Sequence, residues 1–497
     1  MRLGRAARSF PLAVLVFALP ARAELPPNGD SIRTHDYTID LSQTPVLAGT
    51  RVTGLSGAFV AIGEGIDGIA QNPGAVALRV PWSRDHVDYE LGLGLTFSSS
   101  LARSDVFNSG RRTVLSPQGV ESLAFLNLAA NLQVGRWGFG LSTDLQEYSL
   151  DRSSTPSETQ QQDRLVARFA VTHATIGYAF HEQELLVGVG ARWNALNVLN
   201  ANAPAGAQEN LFEAIGSGFE AGVLLRPNDT QYRAGLCFRS SVVSNASPSS
   251  RVRVVYPGDP ENELFLPDHV MLPWELNAGF AVQFGPRPFN PRWLDAQLEL
   301  EPVRRYLDWR ERERLRRHAE ALDRAERAGL DLEAAMRAVD AELRTEAAID
   351  ALHLARAERE LDQRLRRRYQ GMDRFHVLVS ASLDVLGPVS DAVGVESFLE
   401  RKVQRSGKAV SVSPRLGVET EAIPHWLRVR AGTYIEPTRF DNNPRGSRTH
   451  WTVGLDQRLF PWEVFGLWAE GSIWRVSGSL DVSREYFSWG VAIGMWH

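Results

Sequence analysis

The sequence predicts an all-β protein: a transmembrane antiparallel β-barrel of about 14 strands, with an N-terminal hatch (plug) and a helical-hairpin insert. Three observations carry that prediction. Long segments alternate apolar with polar or small residues, as in Leu185, Val187, Val189, Ala191 and Trp193 against Gly188, Gly190, Arg192 and Asn194. Connections between the segments alternate short with long. Ahead of them all lies Gly49 to Leu78, GTRVTGLSGAFVAIGEGIDGIAQNPGAVAL, apolar and glycine-rich, with neither a helical nor a strand period. Such a run folds as a close-packed irregular knot. A knot ahead of a strand array reads as a plug that the array closes around.

The chain opens with a processing signal over residues 1–23. Arg2, Arg5 and Arg8 form a basic start, Phe10 to Leu19 is an apolar stretch too short to span a bilayer, and Ala21-Arg22-Ala23 is a cleavage site. The mature chain is expected to start at Glu24 and to leave the cytoplasm. Beyond it no stretch approaches 18 consecutive apolar residues, so no transmembrane helix is expected. An exported soluble sandwich or a barrel remains, because only helices and closed barrels satisfy their backbone polar groups in lipid. Sandwich strands usually run to about 5–6 residues, shorter than these segments. The single cysteine, Cys237, can form no internal disulfide. A formal net charge of −5 over 497 residues, mixed in sign, gives no reason to expect a nucleic-acid partner.

In chain order, residues 24–48 are polar and Pro-containing and read as an extended N-terminal arm, with the hatch over 49–82. Residues 83–285 hold the first part of the barrel, with segments near 86–99, 121–134, 136–148, 164–181, 184–198, 211–225, 231–241 and 273–285. Residues 374–497 hold the second, near 374–386, 410–420, 425–437, 449–460, 463–475 and 485–497. Short connections (Gly135-Arg136, His181 to Gln183, Arg226 to Thr230, Ala422 to Pro424, Pro461-Trp462) alternate with long polar ones (Ser149 to Gln162, Asn200 to Asn210, Val242 to Met271, Pro388 to Lys408, Thr438 to Thr449). Outer-membrane barrels have short periplasmic turns and longer outside loops, which gives this rhythm. Trp137, Trp193, Trp426, Trp451, Trp462, Trp489 and Trp496 stand where aromatic girdles are expected.

Residues 286–373 break the rhythm. Within them 303–369 is rich in Ala, Leu, Glu and Arg and free of Pro. Gly329 interrupts the run and Asp331 is placed to cap a second helix. Leu315, Ala319 and Leu322, then Leu332, Met336, Val339 and Leu343, follow heptad-like spacing, which predicts a helical hairpin with a thin apolar seam. An even strand count, with both termini periplasmic, puts the hairpin on the periplasmic side. It reads first as a solvated hairpin and second as a coiled-coil docking surface for a periplasmic protein.

The hatch segment resembles that of the FadL-type long-chain fatty-acid and hydrocarbon transporters of the bacterial outer membrane. Gly57-Ala58-Phe59 with Ala61 matches the family's GAF-A stretch, and Asn72-Pro73 its Asn-Pro-Ala motif, with Gly74 in place of Ala. The segments from Ser413 to Glu419 and from Arg430 to Tyr434 resemble late strands of that family. The resemblance implies a monomeric, plugged 14-strand barrel, sited among outer-membrane lipids, that passes fatty acids or hydrocarbons passively through an apolar lumen pocket. The rival reading is a non-transport barrel that anchors periplasmic proteins through its hairpin.

Candidate residues follow from that frame. No G-x-S-x-G, H-E-x-x-H or C-x-x-C is present and the 11 histidines lack ligand spacing, so no catalytic residue, metal or cofactor is expected. Arg192, Asn194, Arg233, Arg239, His376, Asp384, Arg428, Arg430, Asp456, Arg458 and Glu470 alternate with outward apolar positions and so face the lumen. They either tie the hatch to the wall or, at Arg428 and Arg430, meet a carboxylate head group. In the hatch, Phe59, Ile62 and Ile66 either line a pocket or pack the plug.

Overall fold

The computed structural model describes residues 25–79, 86–98, 105–110, 119–151, 164–200, 209–245, 265–461 and 473–495. The expected signal peptide, Trp462, Glu470 and Trp496 lie outside the described residues. β1 (Thr38–Asp40) and the short α1 (Thr50–Gly54) come first. Seven strands follow: β2 (Val87–Ser98), β3 (Gly119–Val134), β4 (Trp137–Asp151), β5 (Arg164–Phe180), β6 (Leu185–Asn200), β7 (Glu209–Leu225) and β8 (Tyr232–Arg239). After β9 (Val242–Asn245), β10 (His269–Leu272) and β11 (Glu275–Phe284) come the helices α2 (Ala296–Arg327) and α3 (Leu332–Gln370). β12 (Val377–Leu386) precedes β13 (Ala392–Gly394), α4 (Val395–Glu400) and β14 (Arg405–Ser406). The chain ends in β15 (Ser411–Ile423), β16 (Leu427–Glu436), β17 (Arg448–Pro461), β18 (Ile473–Ser483) and β19 (Tyr486–Met495).

Fourteen of these strands form one closed antiparallel barrel: β2 to β8, β11, β12 and β15 to β19, with β19 returning to β2 (Ile493 opposite Leu93). Period-two alternation sets the two faces. Outward positions such as Leu91, Phe139, Val189, Phe219, Phe280, Leu416, Leu455 and Ile493 are exposed, while inward ones such as Arg192, Glu220, Arg430 and Asp456 are buried. An apolar outside around a polar inside is stable only with lipid on the outside, so the wall spans a membrane.

The thirteenth strand departs from expectation. It was expected over 463–475, most of which lies outside the described residues; the strand is Ile473–Ser483, joined to β19 by a turn at Arg484-Glu485. Residues 476–484 fall between two expected segments, yet Ser477 and Ser479 are buried toward the lumen, where small polar side chains suit an inner face. The girdle is also only partial. Trp137 and Trp426 stand exposed at one rim and Trp451 toward the other, while Trp193 and Trp489 lie within their strands.

One end of the barrel carries the turns at 135–136, 181–184, 226–231 and 424–426, and α2 and α3 emerge there, between β11 and β12. The other end carries the long connections and a five-stranded cap sheet ordered β14-β13-β1-β10-β9. The N-terminal arm lies in that cap, so the described N-terminal residues sit opposite the end where two periplasmic termini would put them. Ile32, Tyr37, Ile39 and Leu41 drive this placement, since all are buried against Phe212, Val270, Val393 and Phe398 from loops and tall strands.

The helical hairpin is capped by Asp295, which accepts from the Gln297 amide (2.9 Å), and by Asp331, which accepts from Glu333 (3.0 Å) and Ala334 (3.3 Å). Leu300, Leu361 and Leu365 form its small core near the barrel. Further out the seam differs from the expected heptads. Leu315 and Met336 are exposed, and Arg314 and His318 take the buried positions. Arg314 bonds Asp350 across the pair at 2.8 Å. A polar seam suffices because each helix already has long runs of good helix formers.

Candidate functional site

The hatch fills the lumen. Gly57, Ala58, Phe59, Asn72, Pro73 and Gly74, the motif residues, are all buried. Asn72 explains its own position: its side chain accepts from the Gly74 amide (3.0 Å) and donates to the carbonyls of Val60 (3.1 Å) and Val223 (3.0 Å). It thereby caps the turn Pro73–Ala77, with Pro73 at the first position, and pins it to β7. Glycines on the wall admit the hatch backbone at contact distance. A methyl group at Gly188 would overlap the Pro73 carbonyl, and one at Gly138 the Val76 carbonyl.

Charge fastens the plug to the wall. Arg51 on the hatch bonds Glu419 (2.8 and 3.0 Å), which accepts from Arg430 (2.5 Å). Arg430 is bidentate to Asp456 (2.8 and 2.5 Å), Asp456 pairs with Arg475 (3.1 Å), and Arg475 returns to Asp67 on the hatch (3.7 Å). Alternating charges thus run from hatch, through β15, β16, β17 and β18, back to hatch. Glu64 links Arg51 (3.1 Å) to Arg233 on β8 (2.9 Å). In a low-dielectric interior, paired and hydrogen-bonded charges of this kind are stable while any one left alone is costly.

Among the described residues a cavity lies on each side of the plug. The upper chamber, about 180 Å³, lies between the arm, the hatch and the wall. Leu41, Val46, Leu47, Val52, Ile66 and Leu272 give it apolar surface. Its wall is polar: Arg415 pairs with Asp384 (2.6 Å), Arg239 with Glu275, and Asn127 donates to Asp144 (2.5 Å). The chamber is therefore amphiphilic, not the apolar pocket that the resemblance implies. Many inward positions on these strands are charged, so much of the apolar surface comes from hatch, arm and loops, joined by Phe169 and Val171 of β5. The lower cavity, about 70 Å³, opens toward the short-turn end and is lined by Arg51, Glu64, Arg428 and the hairpin root at Tyr369, Met372 and Arg374.

The five candidate ligand residues do not converge. Ile66 lines the upper chamber and Arg428 the lower cavity. Phe59 and Ile62 are fully buried in the plug core with Leu55, Leu378 and Tyr434. Arg430 has its guanidinium taken up by Glu419 and Asp456, so a head group there would have to displace a carboxylate. Of the other inward candidates, Arg192, Asn194, Arg233, Arg239, His376, Asp384 and Asp456 are buried, while Arg458 is half-buried at the rim beside Trp426. Cys237 is buried and free. Sequence reasoning missed Leu41, Val46 and Leu47 as lining residues, and no local signal marks them. Among the described residues no group of His, Cys, Asp and Glu could hold a metal ion.

No family model matches this chain, and no curated protein does. Among solved structures it is similar to a Pseudomonas aeruginosa FadL homologue, with TM-score 0.45 and 11% identity over 91% of this chain and 98% of that one. It is also similar to the Pseudomonas putida toluene transporter TodX (TM-score 0.43, 10% identity, 91% and 98% covered). The CymD monoaromatic hydrocarbon channel compares at TM-score 0.44 and 11% identity, with 91% and 97% covered.

Proposed function

We propose that this protein is a passive outer-membrane channel for hydrophobic compounds, such as long-chain fatty acids or hydrocarbons, that pauses its cargo between hatch and cap. The observation that carries this reading is the upper chamber between arm and hatch, with apolar arm and hatch side chains facing a hydrogen-bonding wall. Ligand sites combine apolar surface with polar groups that fix orientation, and this chamber has both. An apolar cargo bearing one polar end suits that arrangement better than a hydrated ion, which would need a continuous water path. The hatch motif supports the same reading.

Mass spectrometry of an organic extract from the purified, detergent-exchanged protein tests it. A stoichiometric fatty acid or hydrocarbon is expected, and Ile66→Glu, which puts a charge into the chamber, should lose it. An empty extract from repeated preparations, or a ligand retained unchanged by Ile66→Glu, would overturn the reading.

A further inference from the structure

We infer that the N-terminal arm is the outer gate of the barrel: withdrawal of β1 from the cap sheet opens the chamber, and the arm draws on the hatch as it leaves. The inference starts from strand order. In the cap, β13 and β14 come from the connection between β12 and β15, and β9 and β10 from that between β8 and β11. Among the described residues nothing pairs these two loops in the sheet except β1, which lies parallel to both. Ile39 is paired with Val270 on one side and Val393 on the other. Without β1 the sheet is two separate edges.

The seal is made of side chains as well as backbone. Ile32, Tyr37, Ile39 and Leu41 are buried in the cap core. Tyr37 donates to the Phe265 carbonyl (2.6 Å), and burial pushes its phenol well above the ordinary range, so the donor is kept. Among the described residues the one ion pair fastening β1 joins Asp40 to Arg439 at 3.0 Å, both side chains buried; Arg439 also donates to Ser411 (3.2 Å) and to the Gly387 carbonyl (3.1 Å).

Beyond the ion pair, the same stretch of chain becomes the chamber wall. Leu41 to Gly49 lines the cavity and runs straight into α1 of the hatch. The link bends at Pro45 and Ala48 but is only Leu41 to Gly49 long, so a displacement of β1 beyond the slack in those bends reaches α1, because a chain spans at most about 3.3–3.6 Å per residue. Three-residue pairings on each side are weak enough to release, since short sheets are marginal by themselves. Opening the cap and loosening the plug are thus one movement.

Cysteine accessibility tests this without reference to cargo, so a failed gate and a failed transport reading are distinguishable. Ser142, buried on the chamber wall, is replaced by Cys in a Cys237→Ser background, and a cationic methanethiosulfonate reagent is added to the detergent-solubilised protein. Deleting residues 25–41 should raise the modification rate at least tenfold with barrel formation, read by heat-modifiable migration, preserved. Asp40→Asn, which keeps the strand and weakens the latch, should raise it a few-fold. If the deletion does not assemble, the Asp40→Asn rate decides. A rate unchanged by Asp40→Asn, or by an assembled deletion, overturns the inference.

Discussion

The interface between hatch and wall and the helical hairpin are both rich in Arg and acidic pairs, and they use the same chemistry to different ends. Inside the barrel, Arg430 and Asp456 have side chains 0% exposed, and each is committed to further partners. On the hairpin, Arg316 pairs with Glu313 and Glu320 while 62% of its side chain stays in water. The first kind of pair fixes position, because the alternative is an uncompensated buried charge. The second kind is nearly interchangeable with water and serves helix solubility more than structure. Exposure, and not the number of ion pairs, separates a plug welded to its wall from an appendage.

The sharpest way to break that comparison is Arg430→Ala. It leaves Asp456 with Arg475 alone and Glu419 with Arg51 alone, and should cost about 3 kcal/mol, the low end for breaking a buried pair because those partners remain, read as a lower denaturant midpoint in lipid vesicles. The pairing argument also predicts that Arg430→Met with Asp456→Leu recovers a large part of the loss; a double variant as unstable as the single one would contradict it. A smaller effect is expected from Gly188→Ala, whose methyl group would push the Pro73 turn off the wall, at about 1–3 kcal/mol. Its hatch should become accessible to proteases while the barrel remains. Smallest of all, Arg316→Ala should leave the denaturant midpoint unmoved, and a clear drop there would mean that the hairpin is tied to barrel stability after all.

The wall was legible because a period of two is written into each strand. Leu185 to Asn194 could hardly be read otherwise, and the inward charges at Arg430 and Asp456 followed from the same parity. The strand Ile473–Ser483 escaped because a lumen face built of serines looks like a loop when its partner strands are not considered. The hatch was visible from its glycines and from Asn72-Pro73. The site within it was not. Which of Phe59, Ile62 and Ile66 faces a cavity depends on how the knot folds back on itself, and no periodicity encodes that. The arm was misplaced for a similar reason. Its three strand residues are held by partners from two distant loops, and nothing local in Thr38–Asp40 announces them. In the hairpin, Asp331 was readable as a cap, whereas the polar seam at Arg314 and His318 defeated an apolar heptad rule.

The parallel pairing of Thr38 with both His269 and Ala392 also dictates an order of construction. The segment nearest the N-terminus is bracketed by strands from the middle and late parts of the chain, and the hatch behind it is enclosed by a ring whose final seam joins β19 to β2. Neither can reach its place until almost the whole polypeptide is present. Contacts of such long sequence separation form slowly. The first residues to arrive are therefore among the last to be buried, and the open intermediate must hold Ile32, Tyr37, Ile39 and Phe59 in solvent until the ring shuts. A helper that shields this leading segment, or a membrane surface that receives it, would govern the yield of folded protein more than the stability of the finished barrel.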